Sequence, residues 1–288
     1  MRFEFPKAHR GEFGPIRKAR ELVRVSKSGY CEYARRRKSN AQIEREALEG
    51  FAEDVFERHH ARYGYRRINQ ELRRTGIFVG ERRAPRIVRR LGLVAKGATR
   101  KHSIQKRVEP GDPRLNLVER VFAVDERNRL WAGGIAYVPA SGGRPYPAAV
   151  IDAFSRKVVG WSMPDRITEK AAIDATERAV GRERPPDGGS LVFHDGRGAR
   201  YTSKAFRRCP DSRGVTQSVS GPGAPLGNAV AESFFKTLKR ELAKDGGYKA
   251  REGARQDVFR YIELHCNAVR THSTLGYVSP VGYERRCA

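Results

Sequence analysis

The chain has 288 residues, with 58 Lys and Arg against 33 Asp and Glu, a formal charge of +25. At 39% hydrophobic and 32% charged it is too apolar for wholesale disorder, and it has neither a collagen-like nor a disulfide-scaffold bias. So large a positive excess attracts polyanions, of which nucleic acid is the commonest, and no apolar run approaches the roughly 20 residues that span a bilayer.

Residues 1–20 carry six Lys or Arg and no apolar core of a signal peptide, so the expectation is a cytoplasmic protein with no membrane association. Cys31, Cys209, Cys266 and Cys287 form no CxxC pair and have no His at zinc-ligand spacing, which reads as four reduced thiols. His59 and His60 are adjacent and are expected as surface helix residues.

In chain order, residues 1–40 have the pattern of a helix-turn-helix: Ile16 to Leu22, a turn, then a helix capped by Ser26 and running into a basic segment to Lys38. Arg24 stands where such turns often carry glycine. Residues 41–98 read as a helical DNA-binding domain. Apolar residues recur at helical spacing in Ile43 to His59, Ile68 to Arg74 and Pro85 to Leu91, with turns at Tyr63-Gly64 and Gly76. Residues 99–118, polar and with Pro110, Gly111 and Pro113, read as a linker.

Beyond it, residues 119–288 change texture. Strands are predicted over Leu130 to Pro139, Pro145 to Ala153 and Lys157 to Met163, a helix over Thr168 to Val180, and a strand over Ser190 to His194. A helix starting near Thr202 and a strand over Val215 to Val219 follow, and two helices, Asn228 to Ala243 and Arg251 to Asn267, close the chain. Three strands followed by alternating helix and strand predict an α/β fold with a mixed sheet, the element order of a ribonuclease H-like core.

Five arginines crowd residues 81–90. They repel one another unless solvent or a phosphate backbone neutralises them. Arg82, Arg83, Arg86, Arg89 and Arg90 are therefore candidate phosphate contacts, with Arg66 and Arg67 on the preceding helix. In the second part, Asn228 to Glu241 reads as an amphipathic helix with Ala231, Phe234, Phe235 and Leu238 toward the core and Glu232, Lys236 and Lys239 together on the other face. Two readings stand there: a surface Glu232–Lys236 pair worth about 0.3 kcal/mol, or a metal-binding carboxylate beside two lysines that grip phosphate. The loop Ser220 to Gly227, rich in Gly and Pro, is either a plain connector or a DNA-handling loop.

Several motifs in order carry a family resemblance: Tyr63 to Ile68, Ile151 to Arg156 with Val159 to Met163, Tyr201-Thr202-Ser203, Asn228 to Glu241, and Arg270-Thr271-His272-Ser273 through Pro280. Over nearly its whole length the chain resembles the longer reading-frame product of insertion-sequence transposases, whose core is similar to retroviral integrases and is named for an Asp, Asp, Glu triad. The resemblance implies DNA strand cleavage and transfer with two Mg²⁺ ions held by carboxylates. It also implies element ends and target DNA as substrates, and a homo-multimer or an upstream small DNA-binding product as companion. The Glu carried over is Glu232. The positions matching the two aspartates are Gly134 and Gly196, and a third family Asp falls on Gly227.

Glycine supplies no oxygen ligand, so an impaired catalytic site is expected, the alternative being a non-catalytic DNA-binding remnant or an inhibitor of active relatives. Asp195 is the candidate stand-in, as catalytic and metal-binding residue with Glu232, although one residue of shift along a strand reverses side-chain direction. Asp152, which matches a family Asp outside the triad, and Asp125, which precedes the first strand, have weaker claims. Asn267, Arg270, His272 and Ser273 match the family's terminal motif, with helix capping or DNA contact as their readings.

Overall fold

In the computed structural model, residues 2–9, 12, 16–35, 37–96, 116–141, 143–166, 168–185, 190–196, 198–221, 227–242 and 247–288 are described. Residues 99–115 of the predicted linker 99–118, and residues 222–226 of the Gly/Pro-rich loop, lie outside the described residues.

The chain begins with three short helices, α1 (Phe5–Ala8), α2 (Ile16–Leu22) and α3 (Lys27–Arg35). Ser26 Oγ accepts from the Gly29 N–H at 3.1 Å and so caps α3. Arg24 itself takes the left-handed conformation, φ 53°, that a glycine would adopt without strain. Next come α4 (Asn40–Arg58), α5 (Tyr65–Arg74) and α6 (Ala84–Arg90). The Ser39 hydroxyl accepts from the Gln42 N–H and starts α4. Leu48 and Val55 of α4, Ile68 and Leu72 of α5 and Ile87 of α6 pack around Tyr63, which is fully buried. His59 is corrected from surface to core: it is buried and its ring stacks on Tyr63 with centroids 3.8 Å apart. His60 remains exposed.

The second part holds β1 (Leu130–Ile135), β2 (Ala148–Asp152), β3 (Val158–Ser162), α7 (Glu169–Glu183), β4 (Val192–Asp195), α8 (Lys204–Asp211), β5 (Thr216–Val219), α9 (Ala229–Glu241), α10 (Arg251–Phe259) and α11 (Pro280–Cys287). The sheet order is β3-β2-β1-β4-β5. The first three strands pair antiparallel as a meander, and β1, β4 and β5 pair parallel through helical crossovers. This is the mixed, ribonuclease H-like sheet expected from the element order, with strands shorter than the apolar runs suggested.

Strand parity decides which side chain meets which helix layer. Trp131 and Phe193 face α7 and α8. Ala132 faces α9 and α10. On β3, a Cβ at Gly160 would collide with the Ala175 carbonyl and the Ala179 amide, so α7 lies on that strand at a distance only glycine permits.

Two features near the C-terminus depart from the expectation of one α-helix to Asn267 closing the chain. α10 passes into a π-helical turn over Arg260–Cys266, which rotates the following residues relative to an α-helix. A 3-10 turn, Ser273–Leu275, and α11 then follow. Asn267 stands at the C-cap of the π-helical turn, and its side chain is committed to the sheet: Oδ1 accepts from the Val158 N–H at 2.9 Å and Nδ2 donates to the Val158 carbonyl at 3.0 Å, tying the segment to β3.

The helical domain docks on this C-terminal segment. The Tyr63 hydroxyl donates to the Val269 carbonyl at 3.4 Å and accepts from the Thr271 N–H at 3.2 Å, and Arg74 donates to the Tyr277 carbonyl. Behind the contact, Arg270 and Tyr261 both donate to the buried carboxylate of Glu241 on α9. Among the described residues no helix is long and apolar enough to cross a membrane.

Candidate functional site

β1 and β4 run parallel with Ala132 opposite His194. Carrying that register two residues further sets Gly134 level with Gly196, both on the α9 face. Side chains at these two positions would therefore stand beside each other at the ends of adjacent parallel strands. α9 crosses them with one stripe, Asn228, Ala231, Glu232 and Phe235, spaced as successive helical turns. The positions that the resemblance matches to the triad thus fall at two adjacent strand ends and on the helix packed against them.

What fills the place is not acidic. A Cβ built at Gly134 would lie 2.7 Å from Phe235 Cε2 and 3.2 Å from the Ala231 methyl, so the phenyl ring occupies the space an acid at 134 would need. At Gly196 the nearest atoms to a built Cβ are Cβ and Nδ2 of Asn228, at 3.9 and 4.0 Å, which leaves room. Asn228 Nδ2 donates to the Gly133 carbonyl at 2.7 Å, fixing the start of α9 on β1, while its Oδ1 is buried with no partner. Glu232 is half-buried, and its carboxylate forms no ion pair with Lys236. Lys236 and Lys239 are exposed, with Lys239 Nζ 4.3 Å above the Tyr137 ring.

Asp195 is not brought to Glu232. It ends β4 with the parity of Phe193 and is fully buried, and its Oδ2 accepts from Gln217 Nε2 at 2.8 Å. Burial and then the nearby Asp195 charge push the Tyr201 phenol well above its usual range, which places the carboxylate on the α7–α8 side. The expectation that Asp195 stands in for a missing ligand is thereby corrected: the one-residue offset turns it away from α9. His194 has the opposite parity. Its Nε2 lies 2.8 Å from the Gly227 carbonyl and its Nδ1 2.9 Å from Ser218 Oγ, so it bridges β5 to the start of α9, and burial lowers its basicity. Asp152 is buried and committed elsewhere. Its Oδ2 accepts from the Asn128 N–H, and its Oδ1 from the N–H groups of Phe154 and Ser155. Asp125 is exposed before β1.

The basic candidates separate into two groups. Arg83 pairs with Glu44 at 2.7 Å and Arg90 with Glu49 at 2.6 Å, both acids on α4. Arg82, Arg86 and Arg89 are exposed and have no protein partner among the described residues. Arg66 is exposed and lies over its neighbour Tyr65. Arg67 instead faces the core: it is half-buried, over the Tyr63 ring, at the wall of a cavity of about 400 Å³ that Arg156, Arg270 and His272 also line. Arg156 is not among the site residues expected from the sequence. Its only signal was membership in the Ile151 to Arg156 motif.

Three family models match. An HTH-like domain covers residues 42–102, and two integrase core domain models cover residues 124–225 and 213–280. The transposase for insertion sequence element IS904 of Lactococcus lactis is 40% identical over 87% of this chain and 98% of its own length. Transposase InsF for insertion sequence IS3A of Escherichia coli is 33% identical over 99% of each chain. The chain belongs to the insertion-sequence transposases. Its HTH-like part is a DNA-binding domain and its second part an integrase core, so DNA is the transposase's substrate. The catalytic core of BIV integrase is also similar, with a TM-score of 0.41 at 17% identity, covering 56% of this chain and 97% of that one.

Integrase cores generally depend on Mg²⁺, a hard ion that needs several anionic oxygens. The residues of this transposase do not fit such a pair of ions. Of the three positions that the resemblance matches to carboxylates, Glu232 alone carries one, the other two being Gly134 and Gly196. No group of three His, Cys, Asp or Glu gathers among the described residues.

Proposed function

We propose that this transposase binds insertion-element DNA through its helical domain and has an impaired strand-transfer site. The observation that carries the reading is glycine at the two neighbouring positions that the resemblance matches to aspartates, Gly134 and Gly196, with the Phe235 ring packed into the space at the first. Removing ligands that touch the metal costs more than the 10- to 100-fold typical of losing their supporting partners. Binding needs none of these groups. It rests on exposed arginines, three of them unpaired on or beside α6, and on the charge of +25.

A protein that binds element ends without cutting them acts as a competitor of active relatives. The family resemblance adds a multimer, or a small upstream DNA-binding product, as companion, and light scattering of the protein with and without element-end DNA tests that. For the catalytic reading, labelled element-end DNA is incubated with Mg²⁺ or Mn²⁺ and the unaltered protein, with Glu232→Gln, and with a version carrying Gly134→Asp, Gly196→Asp and Phe235→Leu. The expected result is no cleavage by the first two. Cleavage by the unaltered protein that Glu232→Gln abolishes would overturn the reading.

A further inference from the structure

We propose that the cavity between the helical domain and the core is a phosphate-binding site that takes one backbone phosphate of bound DNA; the DNA part rests on the binding function proposed above. The cavity, about 400 Å³, is walled by Arg67 of α5, Arg156 of the turn after β2, Ser233 and Thr237 of α9, and Arg270 and His272 of the C-terminal segment. Three guanidinium groups from three distant parts of the chain therefore border one small space.

The protein balances their charges only in part: Glu241 acts on both Arg270 and Arg67, and Asp152 on Arg156. Arg270 is spent on Glu241 Oε1, with Nε at 3.3 Å and Nη2 at 3.1 Å. Arg67 and Arg156 are half-buried, and neither guanidinium has a hydrogen-bond acceptor among the described residues. The nearest acid to Arg156 is Asp152, whose two oxygens already serve the N–H groups of Asn128, Phe154 and Ser155. Cations partly withdrawn from water without a hydrogen-bonded acceptor favour an anion beside them.

Further donors point the same way. His272 Nε2 is buried with no partner. Burial first, and then the charges of Arg270, Arg67 and Arg156, push this imidazole down to about 3, so it is neutral and carries one N–H to give. Arg156 is held at φ 61° in a turn locked by Asp152, a left-handed conformation that a non-glycine residue adopts at a cost. An oxyanion with several oxygens matches these donors, and the planar fork of arginine suits phosphate in particular. The walls come from both domains and from α9, the helix that carries Glu232. A phosphate seated there joins the helical domain, the core and the DNA.

The test has two arms, both on the full chain. In the first, inorganic phosphate is titrated against sodium chloride at constant ionic strength, and the thermal midpoint is followed. A saturable rise is expected in the unaltered protein, with loss of the rise in Arg156→Gln and in Thr237→Leu, which narrows the cavity without removing a charge and serves if Arg156→Gln misfolds. No specific response to phosphate would overturn the proposal. In the second arm, affinity for element-end DNA is measured against salt. Arg156→Gln is expected to reduce the log–log slope by about 1, as does loss of one phosphate contact. A saturable phosphate response with an unchanged DNA slope would overturn the DNA assignment in favour of a free phosphate ligand. Failure of the unaltered protein to bind DNA at all would instead overturn the function proposed above, and the phosphate arm would still read the site itself.

Discussion

At Gly134 an added carboxylate has to displace a phenyl ring that is itself packed in the core, whereas at Gly196 it enters open space beside Asn228. The two substitutions therefore differ in effect. Gly134→Asp is expected to lower stability by about 1–3 kcal/mol, the usual range for overpacking, and Gly196→Asp to change it far less, as read from urea denaturation midpoints. Equal effects would mean that Phe235 does not fill the first position. Both glycines were legible in the sequence through the family resemblance. The ring was not, because its rotamer depends on how α9 crosses β1. Asp195 teaches the same lesson: its place at the end of β4 is visible in the sequence, but the Gln217 amide that holds it arrives from β5.

Among the elements, α6 shows how pairing sorts like charges. Its apolar residues Ala84 and Ile87 turn into the core and leave five arginines in or near the helix outside. Two of them meet acids of α4, Glu44 and Glu49, and three do not. Surface pairs of this kind contribute roughly 0–1 kcal/mol, so Arg83 and Arg90 are tethered more than they are neutralised. Replacing Arg86 and Arg89 together by Ala is expected to reduce the salt slope of DNA binding by about 2, since each phosphate contact contributes close to one. Replacing Arg83 and Arg90 should reduce it less, and the same log affinity against log salt plot checks both. The helical spacing around Ile87 identified this element and its basic face. The division of the arginines depended on α4, a helix whose packing angle no local pattern states.

On the scale of the whole molecule, buried histidines collect at the junction between the domains, with one more, His194, inside the core. Burial pushes His59 down to about 4 and His272 down to about 3, and lowers His194 and His265 as well. An unfolded histidine titrates near 6.5. The unfolded chain therefore takes up protons below about pH 6.5 that the folded one refuses, so the stability these groups contribute is complete above that pH and is lost as pH falls toward 4 and then 3. Glu241, held down at about 2 although burial alone would raise it, adds to the loss only below about 4.5. The thermal midpoint is expected to fall between pH 6.5 and 4.5, and to fall less in His272→Gln. A flat midpoint over that interval would contradict the burial of these rings.

Local chemistry was enough to specify much of this protein. Charge excess marks a polyanion partner, apolar periodicity places the helices and strands, and their order specifies a ribonuclease H-like sheet, because each of these is a property of residues near one another in the chain. The family resemblance in turn pointed to Glu232 and to the two glycines it matches to acids. Tertiary structure alone decided the partner of Asp195, the burial of His59, the ring over Gly134 and the meeting of Arg67, Arg156 and Arg270 around one cavity. Side-chain partners at a strand end, core packing and electrostatic imbalance depend on which elements come to face each other, and those partners lie far apart in the sequence.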